Sequence, residues 1–436
     1  MRLSGMLIDT AAARRMNRAY YEDNIELSFR TEAMYTKYQT AFARYLYDYI
    51  AKNFQFRETV NVLELGARGV YFEEGVHAEM QRLDSANGTS VAEKINYTIM
   101  DLSRPAIEHA RERAELSPLF RTGFIVGDVL ADPMPKDTSV FIMNELLDDL
   151  DYAVLAKFNG RAYRIDYKLA MSESISEASW PITLKAVRRA MDDGGALMER
   201  AMEIPEKRAV PVILDAEKLF GRIRSSAARH DSILLFMHDY GVLSPVPVQN
   251  AKGLKRLFFS SLPEGLLNAD DAAGKVQITT DVGWPYVFDA LSRSGFSISL
   301  LDSHPLFLDK SIGAEKLNPM EMARLINMLD DNERAALMRE TSSLSYTGIS
   351  GAGFAPYLNA LFGGRFFFRN GSELSGRDIS LNTKSLCDKH AATALYGFYA
   401  MHSWRLRNSY FDVAATAAIT DRNRGSPASL DMYREL

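Results

Sequence analysis

Cysteine is almost absent from this chain, since Cys387 is the only one among 436 residues. A single thiol can form neither an internal disulfide nor a cysteine-based zinc site, so small disulfide-stabilised secreted folds are excluded. We therefore assign no metal site from the sequence. The scarcity of cysteine favours a reducing, cytoplasmic setting.

Long apolar runs are also missing. The sequence contains no apolar run as long as the roughly 18 to 20 residues of a membrane-spanning helix. The N-terminal stretch Met1–Tyr21 is interrupted by charged residues too often for a secretory signal. We expect no membrane association.

A strong excess of charge of one sign is the third absence. The formal net charge is −5, which gives no electrostatic footprint for nucleic acid, and we predict no nucleic-acid partner. Hydrophobic residues make up 47% of the chain, enough for a packed interior. At 436 residues the chain exceeds what one core normally holds, so two domains or a core with large insertions are expected.

The segment VNVLELGARGV, Val60–Val70, is the most informative stretch that is present. Its apolar run ends at the carboxylate of Glu64, as a buried strand would. Gly66 and Gly69 follow, and they allow a sharp turn and close backbone approach before a helix begins. The pattern predicts a ligand-binding turn between a strand and a helix.

Two further apolar runs end in a carboxylate. YTIMDLS ends at Asp101 and is followed by a charged amphipathic helix, Arg104–Glu115, while GFIVGD ends at Asp128. Ligands of open α/β sheets bind in the crevice outside the carboxyl ends of the strands, and a carboxylate there can accept both hydroxyls of a ribose. These runs predict a nucleoside-containing cofactor. Each acid taken alone is equally well explained as a cap on the next helix.

The first loop decides between cofactors. Dinucleotides need G-x-G-x-x-G to cradle a pyrophosphate, but Arg68 occupies the second glycine position and Phe72 the third. S-adenosylmethionine has no phosphate and carries a sulfonium and an ammonium group. It therefore suits a pocket rimmed by the carboxylates of Glu64, Asp101 and Asp128.

The acceptor side is predicted from a fourth run. The short strand Val140–Met143 leads directly into Asn144 and Glu145. An amide oxygen and a carboxylate at a strand end can hold an amino or guanidinium group and aim its nitrogen at a methyl group. The alternative is that Asn144 only caps a helix.

A fifth run, Ile233–Met237, ends in His238. This histidine would lie at the edge of the same crevice and could act as a base or contact the substrate near neutral pH. A structural, hydrogen-bonded histidine is the alternative.

The segments LELGARG, YTIMDLS, IMNELLDDL, LFMHDYG and ITTDVGW, in that order, resemble the MidA-type S-adenosylmethionine-dependent methyltransferases. That family includes a mitochondrial assembly factor that methylates an arginine of a complex I subunit. The most specific segment is Asn144–Leu150, which is similar to the family signature N-E-x-x-D-A-L, and Asp239–Gly241 is similar to its D-Y-G. The resemblance covers roughly residues 20 to 308.

By position, the resemblance implies a cofactor site and an acceptor wall. The cofactor site would consist of Glu64, Gly66 and Gly69 at the methionine end, Asp101 at the ribose, Asp128 at the adenine, and Asn144 beside the methyl group. The acceptor wall would consist of Asn144, Glu145 and Asp148.

The implied fold is α/β: a Rossmann-like methyltransferase sheet with helices on both faces. We predict an N-terminal helical segment, 1–55, that packs near the cleft and contains a helix over Glu32–Ile50. A methyltransferase domain, 56–312, would carry a helical insertion at 152–230 between the fourth and fifth strands. A mainly helical C-terminal region, 313–436, would follow. Within the domain, five parallel strands are expected to be followed by an antiparallel pair, in which Leu257–Phe259 pairs with Ser297–Leu301.

The predicted function is methyl transfer from S-adenosylmethionine to nitrogen, with an arginine side chain of a protein substrate as the acceptor. Glu145 or Asp148 would hold the guanidinium, and a carboxylate would accept its proton. One alternative is an assembly factor or chaperone that keeps the fold and works by binding a partner, which Arg68 in the glycine loop keeps open. A nicotinamide-dependent dehydrogenase is the third candidate. The sequence predicts no particular oligomeric state.

Overall fold

The computed structural model describes residues 7–8, 13, 16–20, 32–67, 69–116, 120–171, 182–191, 194–227, 232–259, 276–304, 307, 311, 366–369, 373–376 and 409–418. The helices of this part of the chain are α1 (Glu32–Asn53), α2 (Tyr71–Asn87), α3 (Arg104–Ala114), α4 (Ala196–Glu203), α5 (Ala216–Ser226) and α6 (Trp284–Arg293). Short 3₁₀ turns cover Ala92–Lys94, Leu147–Asp149 and Val248–Leu254. None of the described helices is both long and apolar enough to cross a bilayer.

A mostly parallel sheet forms the centre of the molecule. Its strands are β2 (Val60–Leu65), β3 (Ile95–Asp101), β4 (Arg121–Val126), β5 (Val140–Asn144), β10 (Ser232–Val242), β14 (Val282–Gly283), β15 (Ser297–Ser303) and β18 (Ser409–Ala418). The order is β15-β18-β10-β5-β2-β3-β4, with β14 beside the end of β10. The five strands from β4 to β10 are parallel, as predicted.

Helices cover both faces of this sheet, as predicted, because its central strands alternate between two apolar layers. On one face, residues such as Val62 and Ile142 pack with α1, α2 and α3. On the other face, Leu63 and Phe141 pack with α5 and α6. A strand buried on both faces needs a continuous apolar sequence, which explains why VNVLEL and VFIMN contain so few polar residues.

Helix α1 confirms the predicted N-terminal helix and extends it to Asn53. Phe42 is fully buried on its inner face, and its ring centroid lies 5.2 Å from that of Phe72 and 4.7 Å from that of Phe236. This aromatic packing fixes α1 across the sheet. It places Tyr38, one turn earlier, at the crevice.

The insertion 152–230 was predicted to be helical, and its described part corrects that prediction. It contributes four strands of a second, antiparallel sheet and only two helices, α4 and α5. The second sheet consists of β1 (Leu7–Ile8), β6 (Tyr152–Phe158), β7 (Arg161–Met171), β8 (Ile182–Ala190), β9 (Arg208–Ile213) and β11 (Val246–Pro247). The missed signal is Asn159-Gly160 between β6 and β7. Both residues have positive φ, 52° and 71°, as a two-residue hairpin turn requires.

The C-terminal region 313–436 was predicted to be mainly helical, and its described residues are strands. β18 lies inside the central sheet and pairs antiparallel with both β10 and β15. A short hairpin is formed by β16 (Phe366–Arg369) and β17 (Glu373–Gly376). The sequence of β18, SYFDVAATAA, is rich in alanine and lacks a regular alternation of apolar and polar residues, so its long-range partners decide its conformation. The rest of the region lies outside the described residues.

The predicted pairing of Leu257–Phe259 with Ser297–Leu301 is wrong. β12 (Lys255–Phe259) pairs with β13 (Val276–Thr280), and β15 pairs with β18 instead. The antiparallel end predicted for the sheet does exist. One of its strands comes from more than a hundred residues further along the chain than expected.

Candidate functional site

Polar side chains line up across the carboxyl end of the central sheet. In the register of the sheet, His238 of β10 lies beside Asn144 of β5 on one side and beside Asp412 of β18 on the other. Glu64 of β2 joins this row through a hydrogen bond from the side chain of Asn144. Because strand ends of a parallel sheet meet at one edge, residues far apart in the sequence converge here.

Glu64 is the most deeply buried acid of the cofactor prediction, with 2% of its surface exposed. Its Oε1 accepts a hydrogen bond from Asn144 Nδ2 at 3.0 Å, and its Oε2 accepts one from the Tyr97 hydroxyl at 2.7 Å. The Oδ1 atom of Asn144 accepts a hydrogen bond from the Tyr38 hydroxyl at 2.6 Å. Burial raises the pKa of Glu64 to about 7, so this carboxyl gains its charge near neutral pH.

The turn after β2 needs glycine at one of its two predicted positions. Gly66 has φ of +76°, and its amide donates a hydrogen bond to the Met100 carbonyl at 2.8 Å. A Cβ at Gly66 would lie 2.8 Å from Cδ1 of Leu146. Gly69 has no such restriction, because a Cβ there would meet Tyr71 at an ordinary 3.5 Å. Arg68 lies outside the described residues.

Asp101 and Asp128 lie at neighbouring strand ends. Asp101 Oδ1 accepts a hydrogen bond from the backbone amide of Ser103 at 2.6 Å, and the Ser103 hydroxyl caps α3. Ser103 is thus the N-cap of that helix, and Asp101 does not serve as its cap. Asp128 Oδ1 accepts a hydrogen bond from the amide of Leu130 at 2.7 Å, which orders the turn after β4.

Glu145 has an unusual backbone conformation for a residue with a side chain. Its φ is +47°, and its amide donates a hydrogen bond to the carbonyl of His238 at 2.8 Å. The exposed side chain accepts a hydrogen bond from the Tyr410 hydroxyl at 2.5 Å. Strained backbone of this kind persists where neighbouring contacts enforce it, and it clusters at functional sites.

Asp148 occupies a different environment from Asn144 and Glu145. It is 4% exposed, its Oδ2 accepts a hydrogen bond from the Tyr240 hydroxyl at 2.7 Å, and its amide donates to Asp239 Oδ2 at 3.1 Å. Burial, with the charges of Asp239 and other nearby acids, raises the pKa of Asp148 well above its usual value. Burial likewise raises the pKa of Asp239. Ionisation of both carboxyls at once is therefore unfavourable.

Asp148 also lines a narrow cleft between the second sheet and the β12–β13 hairpin. Asn17 and Tyr152 line the same cleft, and Arg164 of β7 and Lys255 of β12 contribute positive charge. Burial, followed by the proximity of Arg164, lowers the pKa of Lys255 to about 8. Asp148 thus faces this cleft, whereas Asn144 and Glu145 lie at the end of β5.

His238 belongs to a buried triad. Its Nδ1 lies 2.8 Å from Asp412 Oδ1, and the Nδ1 of His304 lies 2.8 Å from Asp412 Oδ2. The ring of His238 stacks with those of Tyr38 and Tyr410, at centroid distances of 4.3 and 5.0 Å. His238 is therefore hydrogen-bonded and packed as the structural alternative requires, while lying beside Asn144 as the functional prediction requires.

Several of these residues were not found from the sequence. Tyr38, Tyr97, His304, Tyr410 and Asp412 are not among the residues predicted for the site. Asp412 carried the clearest signal, because it is the one charged residue in the otherwise uncharged run SYFDVAATAA. A carboxylate inside a buried strand is rare unless it is paired.

Comparison with solved structures gives the following similarities. An uncharacterized protein from Burkholderia thailandensis has a TM-score of 0.50 and 17% identity, over 96% of this chain and 88% of the other. A second Burkholderia thailandensis protein of the same superfamily, bound to S-adenosyl-homocysteine, has a TM-score of 0.47 and 16% identity, over 88% and 77%. A Haemonchus contortus phosphoethanolamine N-methyltransferase, in complex with S-adenosylhomocysteine, has a TM-score of 0.36 and 10% identity, over 86% and 52%.

The first of these proteins shares the fold of this chain. At such low identity the likeness extends to the fold and no further. No protein-family model matches the sequence, and no curated protein matches it.

Proposed function

We propose that this protein is an S-adenosylmethionine-dependent methyltransferase. The observation that carries the proposal is the arrangement at the carboxyl end of β2, β3 and β5. There the buried carboxyl of Glu64, the glycine turn at Gly66 and the carboxylate of Asp101 adjoin one crevice edge. This is the edge at which open α/β sheets bind their ligands.

The residues present fit this cofactor. When bound, S-adenosylmethionine supplies an electrophilic methyl group on a sulfonium. Asp101, fixed by the amide of Ser103, would accept hydrogen bonds from the ribose hydroxyls, and Asp128 would contact the adenine. The positive φ of Gly66 brings the backbone to the ligand without a side chain in the way. Glu64 would place negative charge near the positively charged methionine end.

For the acceptor we propose a nitrogen, specifically the guanidinium of an arginine in a protein substrate. The resemblance to the MidA-type family supports this choice. Glu145 suits the role of holding the guanidinium, because it is exposed at the crevice. Asn144 would orient the nitrogen, since its Oδ1 keeps a second lone pair after accepting from Tyr38. Asp148, which is buried and hydrogen-bonded to Tyr240, is better suited to maintaining the hydrogen-bonded network behind this wall than to contacting the substrate.

Calorimetric titration with S-adenosylmethionine tests the proposal, with NADH titrated in parallel. We expect binding of the methyl donor alone. Replacing Asp101 by Asn should weaken this binding by about 10-fold or more, since a hydrogen bond to a charged group contributes about 1.5 to 3 kcal/mol. Asp48→Asn, at an exposed position of α1, is the matched control and should bind as the wild type does.

The titrations discriminate between the functions considered for this chain. Binding of NADH instead of the methyl donor would point to a dehydrogenase. The absence of heat with both compounds would point to a partner-binding protein on this fold. Equal affinity of the Asp101→Asn variant and the wild type would remove the assignment of the ribose site.

A further inference from the structure

We propose that His238, His304 and Asp412 form a binding site for a divalent transition-metal ion, with Zn²⁺ as its first candidate. Each residue comes from a different part of the sheet: His238 from β10, Asp412 from β18, and His304 from directly after β15. This site is additional to the proposed methyl-transfer function and does not depend on it.

The three side chains offer a suitable set of donors at a suitable spacing. One ligand atom from each residue lies within 4.8 Å of the others, and all three residues are buried. Imidazole nitrogen and carboxylate oxygen are ordinary ligands of Zn²⁺, at about 2.0 to 2.2 Å. Ligands of a tetrahedral ion at that distance lie roughly 3.4 Å apart. The two contacts of 2.8 Å between imidazole and carboxylate would therefore lengthen by well under 1 Å.

The charge of Asp412 gives the second argument. Asp412 is fully buried, and among the described residues its ion-pair partners are the two histidines, with no lysine or arginine. Neutral imidazoles do not compensate the charge of a buried carboxylate, and an uncompensated buried charge is costly. A divalent ion held by the same three groups supplies the compensation. A proton on one imidazole is the competing explanation, and it predicts no uptake of metal.

The surroundings hold the ligands in place. Tyr38 and Tyr410 stack on His238, and the ring of His304 lies 4.7 Å from that of His238. The hydroxyl groups of the two tyrosines hydrogen-bond to Asn144 and Glu145. A rigid ligand shell of this kind raises metal affinity because little order must be imposed on binding. It also connects the triad physically to the proposed acceptor wall.

The test is metal uptake by the full chain without a polyhistidine tag. The protein is stripped with a chelator, exposed to Zn²⁺ or Co²⁺, desalted, and assayed for bound metal by mass spectrometry. We expect one tightly held ion, and a visible d–d spectrum of Co²⁺ that indicates nitrogen and oxygen ligands. Asp412→Asn and His304→Gln should each weaken metal binding by more than about 100-fold. Loss of a residue that only supports a metal ligand costs up to about 100-fold, and loss of the ligand itself should cost more.

Asp302→Asn is the matched control. Asp302 is a buried acid of β15 that lies directly beside Asp412 in the register of the sheet, but it is not a ligand of the proposed site. This variant should take up metal as the wild type does. Circular dichroism checks that each ligand variant is folded. If a variant is not folded, the Co²⁺ spectrum of the wild type tests whether nitrogen and oxygen ligands bind the ion.

A wild type without bound metal after this treatment would overturn the proposal and leave a protonated His–Asp–His triad. The same conclusion follows if folded ligand variants retain metal as the wild type does. The outcome is independent of the methyltransferase proposal. Asp101→Asn should lose affinity for S-adenosylmethionine and keep the metal, whereas Asp412→Asn should lose the metal.

Discussion

At the scale of single residues, the candidate site depends on a few positions whose backbone conformation or hydrogen-bond partners are fixed by their neighbours. Gly66 is one, because its positive φ and the nearby Leu146 side chain both disfavour a Cβ. Glu64 is another, because each of its oxygens has one defined hydrogen-bond donor. Such positions transmit small changes directly to a bound ligand.

Gly66→Ala should destabilise the fold by about 1 to 3 kcal/mol and weaken binding of S-adenosylmethionine. The cost has two causes: alanine is strained in the left-handed backbone conformation of this position, and its Cβ would press against Leu146. Urea denaturation gives the free energy of unfolding, and calorimetry gives the affinity.

Gly69→Ala is the control for this prediction. It has no positive φ, and its new Cβ would meet Tyr71 at ordinary contact distance. We expect a smaller loss than for Gly66→Ala, because buried Gly69 accepts a Cβ without left-handed backbone strain. Equal losses in the two variants would contradict the assignment of the turn to Gly66.

At the scale of elements, local sequence patterns identified part of the fold. β2, β3 and β5 were found because each is a short apolar run that ends in a polar group. Their polar ends, Asp101 and Asn144, were placed at the crevice edge for the same reason. The β6–β7 hairpin was not predicted, although Asn159-Gly160 is a typical sequence for a two-residue hairpin turn. β18 could not be predicted from its own sequence, because alanine-rich sequence favours a helix. It forms a strand because it lies between the edges of β10 and β15.

Strand β18 provides the prediction at this scale. Ala414 is fully buried in the middle of the strand, opposite Phe236 of β10 and Leu300 of β15. Ala414→Leu should cost about 1 to 3 kcal/mol of unfolding free energy, because a well-packed core does not accept three extra carbons without strain. Thermal unfolding followed by circular dichroism measures the loss.

The matched change is Thr416→Val in the same strand. Thr416 is only partly buried, and valine keeps its shape and its branching. This variant should unfold close to the wild-type temperature. A large loss for Thr416→Val with none for Ala414→Leu would show that β18 is packed differently from the structure described above.

At the scale of the whole molecule, the interior carries an unusual number of acids. Burial raises the pKa of Glu64 to about 7 and that of Glu73 to about 8, and the pKa values of Asp148 and Asp239 are also raised. An acid with a raised pKa favours the folded state while it stays protonated there. Its contribution is fully present below the pKa of the unfolded chain and is lost as the pH rises through the folded value.

Stability should therefore fall as the pH rises from about 4.5 to about 8. Glu73→Gln should flatten this fall by about 1 to 3 kcal/mol, since each pKa unit corresponds to about 1.4 kcal/mol. Glu73 lies on α2 and is not among the proposed site residues, so ligand binding does not complicate the measurement.

Glu112→Gln, an exposed acid on α3, serves as the control and should follow the wild-type curve. Urea unfolding at several pH values provides both curves. A wild type whose stability increases over this pH range would show that the buried acids are ionised in the folded state.

The position of β18 has a consequence for how the protein is made. On the ribosome, β10 is synthesised about 170 residues before its partner Asp412 emerges. Until then the nascent sheet exposes the unsatisfied backbone edge of β10, which invites pairing with other chains. The triad of His238, His304 and Asp412 is assembled only when that edge closes. The central sheet is therefore completed late in synthesis. The triad can form only after β18 has paired with β10.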